Sequence, residues 1–118
     1  MDGQVMNWCS IGLGLLVVLL GIPMIMGRVR PNRVYGFRTR KTLSSPEVWY
    51  PANRAAGRAM AVAGLLLIAA TVCLMLLWED APRDTYALVH LALWVLALGG
   101  MTAGSFAALG RITGEDEG

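Results

Sequence analysis

Three long stretches of this chain carry no Asp, Glu, Lys or Arg in their interiors, although charged residues make up 15% of the whole. They run from about Val5 to Gly27, Ala59 to Trp78 and Tyr86 to Leu109. Without Asp, Glu, Lys or Arg they hold no obvious proton relay, ion ladder or buried counter-ion pair, which disfavours transport driven by intramembrane carboxylates. Histidine is nearly missing too. The single one, His90, stands near the end of the third stretch with no HExxH, no nucleophile and base in register and no paired carboxylates, so no catalytic set is read from it. One His and two separated Cys do not make a metal-ligand set, and no residue suggests a cofactor. Cys9 and Cys73 fall at a similar depth at one end of their stretches. With no CxxC they read as small apolar side chains in a helix bundle, although their depth would allow a disulfide.

What the chain has instead is hydrophobicity. Of 118 residues, 56% are hydrophobic, and the mean hydropathy is +0.56, more apolar than a soluble domain of this size can bury. Each stretch reaches the roughly 20 helical residues that a hydrocarbon layer of about 30 Å requires. The expected fold is an all-α membrane protein, one domain of three transmembrane helices over residues 1–118, with a basic, aromatic loop at 28–58 and an acidic tail at 110–118. The first stretch is not read as a signal peptide, because Met1 to Gln4 hold no Lys or Arg and no small-residue cleavage site follows.

Charge is sorted between the loops. From Arg28 to Arg58 there are seven Arg and one Lys against Glu47, a balance of +7, while Glu79, Asp80, Arg83 and Asp84 leave the second connection at −2. The excess of positive charge predicts a cytoplasmic loop, with the N-terminus outside and the C-terminus inside. Trp8, Trp78 and Tyr86 then mark one membrane boundary and Tyr35, Phe37, Trp49 and Tyr50 the other. Arginines at that depth are expected to meet anionic lipid headgroups; direct nucleic-acid binding is not expected.

Within the loop, Pro31-Asn32 ends the first helix after a kink at Pro23, and Tyr35-Gly36-Phe37 reads as a turn. Ser44-Ser45-Pro46-Glu47 has the form of a capping box, which predicts a helix start at Ser44 or Ser45. Pro51 predicts either a kink in one helix or, preferred here, a break: a short interfacial helix ending near Tyr50, a bend, and a second-span helix opened by Pro51 and protruding from the bilayer. On the protruding part Trp49, Asn53 and Gly57 share one face, with Arg54 and Arg58 beside it. Small residues recur every four positions: Gly100, Gly104 and Ala108; Gly99, Ala103 and Ala107; Ala55, Ala59 and Ala63. Such rows serve either packing inside the bundle or a homodimer seam. Gly12 and Gly14 read as helix-packing positions rather than a nucleotide loop. The tail Glu115-Asp116-Glu117 reads as solvated.

Positive-inside sorting accepts any mixture of Lys and Arg, yet this loop has a definite texture. Its residues Pro31, Asn32, Tyr35, Gly36, Phe37, Arg38, Thr39, Thr42, Leu43, Trp49, Asn53 and Gly57 follow the pattern PN-x-x-YGFRT-x-x-TL-x5-W-x3-N-x3-G. Here the chain resembles the SdpI family of bacterial membrane immunity proteins. The resemblance implies a non-enzymatic protein of the bacterial cytoplasmic membrane that gives resistance to a secreted peptide toxin and, in the family's founding system, holds a cognate repressor at the membrane. It makes Asn32, Tyr35, Gly36, Arg38, Thr39, Thr42, Trp49, Asn53 and Gly57 the candidate docking residues. Arg38 is expected to donate to backbone carbonyls as the Arg38-Thr39 and Trp49-Asn53 elements pack together. The alternatives are a structural subunit or assembly factor of a membrane complex, and a small transporter or binder of lipid-like compounds.

Overall fold

Three helices account for most of the chain. The computed structural model describes residues 2–114 and contains α1 (Gly3–Ile25), a single 3₁₀ turn (Thr42–Ser44), α2 (Pro46–Leu77) and α3 (Arg83–Thr113). All three α-helices are long and apolar enough to cross a membrane, and no strand occurs among the described residues. At 1.5 Å per residue, α2 is about 48 Å long and outruns a hydrocarbon core of about 30 Å. The acidic residues 115–117 lie outside the described residues.

Local chemistry sets the helix ends. Asp2 caps α1 by accepting from Val5 N–H at 3.1 Å. At the other end Gly27 takes φ +70°, its N–H donates to Met24 C=O at 3.2 Å, and Arg28 N–H donates to Pro23 C=O at 3.0 Å. This Schellman arrangement stops α1 at Ile25, six residues before Pro31. Pro23 stands inside the helix near this end.

Two expectations for the start of α2 need correction. The helix begins at Pro46 with Ser45 as its extended N-cap residue, but no side chain caps it. Ser44 belongs to the 3₁₀ turn, where its hydroxyl donates to Lys41 C=O at 2.5 Å, so the reciprocal box with Glu47 does not form. Nor does a separate helix end at Tyr50, because α2 runs unbroken through Pro51. Pro51 removes only the bond to the Glu47 carbonyl, and both residues are exposed one turn into the helix, where neither packing nor lipid penalises the loss. The separate short element between α1 and α2 is the 3₁₀ turn alone.

The core is the seam between α1 and α2. A Cβ on Gly14 would lie 2.8 Å from the Gly64 carbonyl oxygen, and one on Gly64 would lie 2.5 Å from that of Gly14. The same relation holds between Gly21 and Gly57, at 2.7 and 2.6 Å. Two reciprocal glycine pairs, seven residues apart on each antiparallel helix, therefore bring the backbones into direct contact. Of the small-residue rows, Gly104 packs toward Ala59 with a prospective Cβ contact of 3.7 Å and Ala108 is buried, whereas Gly99 and Gly100 meet nothing within 4 Å. Gly12 also has open space, and Cys9 and Cys73 are exposed and unpaired. Most of the outer surface is large and apolar: Leu65, Leu66, Leu76, Leu88 and Leu96 all point away from the bundle.

Against this seam α3 packs mainly on α2. It reaches α1 through side chains at the end of the bundle away from the basic loop. At the loop end a cavity of about 470 Å³ lies between Leu20 and Met24 of α1 and Met101, Ser105 and Phe106 of α3, with residues 34–39 forming part of its wall.

Candidate functional site

The basic loop is held by hydrogen bonds from its own pattern residues. Asn32 organises the first turn: Oδ1 accepts from Val34 N–H at 2.8 Å and Tyr35 N–H at 2.7 Å, while Nδ2 donates to Arg30 C=O at 2.6 Å and Tyr35 C=O at 3.0 Å. The Tyr35 hydroxyl donates to Leu20 C=O, which ties that turn to α1. Burial pushes the Tyr35 phenol above its ordinary range.

The next anchor is α2. Asn53 is buried and grips Phe37 from both sides, accepting from its N–H at 2.7 Å and donating to its C=O at 3.2 Å, and Nδ2 also meets Trp49 C=O at 3.0 Å. Only glycine fits at residue 36, which has φ +112° and whose Cβ would lie 2.7 Å from Asn53 Oδ1 and 3.3 Å from the Trp49 ring. Trp49 is 0% exposed and donates from Nε1 to Val29 C=O at 2.7 Å. Gly57 lies one turn further along the same face, against Gly21. The shared face of Trp49, Asn53 and Gly57 thus exists, and it faces inward.

Thr39 and Thr42 close the loop reciprocally. Thr42 Oγ1 accepts from Thr39 N–H at 2.7 Å and Thr39 Oγ1 accepts from Thr42 N–H at 3.1 Å; Thr42 is fully buried. Arg38 Nη1 donates to the Arg33 carbonyl, as expected of a guanidinium serving the backbone. The Phe37 ring meets Phe106 of α3 edge to face, centroids 5.1 Å apart.

Facing out from this scaffold are Arg28, Arg30, Arg33, Arg38 and Arg40, together with two apolar side chains, Val34 at 87% exposure and Leu43 at 46%. Positive charge surrounding exposed apolar contacts on a rigid turn can dock an acidic, amphipathic surface. Among the described residues no group of three His, Cys, Asp or Glu side chains could hold a metal ion.

A second polar cluster, at the opposite end, escaped sequence reasoning. Tyr86 donates from its hydroxyl to Asn7 Oδ1 at 2.5 Å; His90 Nε2 lies 3.1 Å from the same oxygen and Nδ1 lies 2.7 Å from Ser10 Oγ; Trp94 Nε1 donates to Ser10 Oγ at 2.7 Å. Asn7 Oδ1 can only accept, which places the imidazole proton on Nε2 and leaves Nδ1 to accept from Ser10. His90 is therefore a fully engaged packing residue. The available signal was Tyr86, His90 and Trp94 at four-residue spacing, facing Asn7 and Ser10 on one side of α1. Tyr86→Phe is expected to lower the melting temperature in detergent by the loss of one buried bond, about 0.6 to 2 kcal/mol, without altering the loop, as trypsin sensitivity of residues 28–41 will report.

Three long apolar helices with an ordered basic loop make this a multi-pass membrane protein. A model of the SdpI/YfhL protein family matches residues 28–110, from the loop through nearly all of α3. That is well over half of the chain, and the chain belongs to this family. No curated protein and no solved structure matches it at a significant level.

Proposed function

We propose that this protein is a non-enzymatic immunity and signalling protein of the bacterial cytoplasmic membrane, with the basic loop in the cytoplasm. In this reading it protects against a secreted peptide toxin that meets the spans or the outer face, and its loop docks a soluble cytoplasmic regulator. One observation carries the proposal. Asn32, Gly36, Thr39, Thr42, Trp49 and Asn53 are spent inside the loop on holding its shape, so the arginines around Val34 form a fixed, exposed platform. An unordered basic tether would satisfy topology equally well. The family supports the same reading through the pattern residues that build this platform.

The test replaces Val34 with Asp, since Val34 touches little of its own chain. Val34→Asp protein is expected to accumulate and melt like the wild type, while a soluble regulator no longer co-purifies with it. In cells exposed to peptides from their own culture supernatant, deletion of the gene is expected to raise sensitivity. Unchanged sensitivity on deletion, together with no soluble protein retained by the wild type, removes the proposal.

A further inference from the structure

On the other side of α2 from α1, the α2–α3 face carries a groove of about 670 Å³ whose walls include Val62, Leu66, Leu93 and Leu96. Ala59, Ala63, Ala70, Ala97 and Gly100 leave it open, because none of them has a side chain long enough to fill the space between the helices. From Val62 to Ala70, and from Leu93 to Met101, the apolar walls run about 12 Å, close to the depth of one leaflet of a hydrocarbon core about 30 Å thick. At the basic end Arg58 lines this groove and also a second cavity of about 470 Å³, which Arg54 and Arg111 line as well. Among the described residues no acidic side chain lines either cavity. Arg54 also lies across Gly27 at the end of α1, which leaves Arg58 of α2 and Arg111 of α3 as the other two arginines lining the second cavity.

An apolar slot one leaflet deep with arginines at its basic end has the shape of an amphiphile with an anionic head. We propose that the α2–α3 groove is a binding site for an anionic phospholipid, its acyl chain along Leu66 and Leu96 and its phosphate between Arg58 and Arg111. A second copy of the chain fits the charge less well. A symmetric contact across this groove would bring two arginine clusters together, and among the described residues no acidic side chain lines it to separate them. The inference is independent of any regulator or toxin.

The test uses the full chain purified in detergent, with phosphatidylglycerol or phosphatidylcholine added and the retained lipid read by native mass spectrometry. Phosphatidylglycerol is expected to stay bound where phosphatidylcholine does not. Arg58→Gln combined with Arg111→Gln should weaken its retention by about thirtyfold, two headgroup contacts of ordinary strength. Arg30→Gln with Arg33→Gln, the same charge change on the loop, should leave it intact. Ala97→Phe fills the slot with the arginines untouched and should also release the lipid. Should the double variant fail to accumulate, Arg111→Gln alone, near the end of α3, carries the charge test and should still reduce retention several-fold. Equal binding of the two lipids, or loss that follows the loop arginines instead, overturns the proposal. So does displacement by soluble glycerol phosphate alone, which would mark a bare phosphate site. Anionic lipid bound only by a chain ending at Gly114 gives the cluster to the acidic tail, and a lipid-free dimer dispersed by Ala97→Phe gives the groove to a second copy; either overturns it.

Discussion

Gly57→Val should prevent folded protein from accumulating in the membrane. A Cβ at residue 57 would stand 2.6 Å from the Gly21 carbonyl oxygen and 2.9 Å from Ile25 N. Both are backbone atoms of α1 and cannot rotate away. Overpacking a close-packed interior costs about 1 to 3 kcal/mol where side chains can shift; here the helices themselves must separate, so the cost exceeds that range. Relieving the clash would also pull apart the Gly14–Gly64 contact on the same seam, since rigid helices cannot yield at one crossing alone. Fluorescence-detected size exclusion in detergent, comparing yield and melting temperature, provides the measurement. Gly12→Ala and Gly100→Ala, where a Cβ meets nothing within 4 Å, serve as controls and should accumulate normally. Wild-type yield from Gly57→Val would mean that the seam is looser than its geometry.

Asn53→Leu should release the basic loop while the three helices remain together. The side chain is 2% exposed and satisfies both polar groups of Phe37. Leucine is of similar size but leaves the Phe37 N–H and C=O without partners, each costing about 1 to 3 kcal/mol where water cannot reach them. A combined loss of about 3 kcal/mol is expected. Limited trypsin digestion makes the effect visible, because Arg33, Arg38, Arg40 and Lys41 are cleavage sites that the folded loop protects. Asn53→Asp should be nearly as harmful: it keeps the acceptor for Phe37 N–H but sets a carboxylate against the carbonyls of Phe37 and Trp49, where the amide donated. A loop in Asn53→Leu as resistant as the wild type's would contradict the anchoring role.

These expectations divide along the line between what the chain shows in one dimension and what needs a partner. The three helices were legible because each apolar run is long enough by itself. The common face of Trp49, Asn53 and Gly57 was legible because four-residue spacing survives wherever the helix ends. The capping box was misread because Ser44 could serve either Glu47 or Lys41, and the 3₁₀ turn at Thr42–Ser44 decides between them. Pro51 was weighted as a break because the sequence does not say that the carbonyl it strands lies outside the packed seam. Gly14 was read as a packing position and Gly57 as part of the Trp49 face, and both carry tight contacts, but their partners Gly64 and Gly21 were not paired with them from the sequence. Only the antiparallel register of α1 and α2 pairs Gly14 with Gly64 and Gly21 with Gly57. The Asn7–Ser10–Tyr86–His90–Trp94 cluster was hidden for the same reason, its members divided between helices about 80 residues apart in the chain.

The glycine seam bears on the order of assembly during synthesis. Both halves of the seam, the tie from Tyr35 to Leu20, and the bonds from Asn53 to Phe37 and from Trp49 to Val29 are complete once residue 64 has entered the membrane. Nothing in that hairpin waits for α3, which later adds the Phe106 contact on Phe37 and the polar clasp on α1. Contacts made mostly between neighbouring segments close with little loop entropy. The nascent chain can thus build its platform before its last helix exists, and a ribosome stalled after α2 should already carry a trypsin-resistant loop.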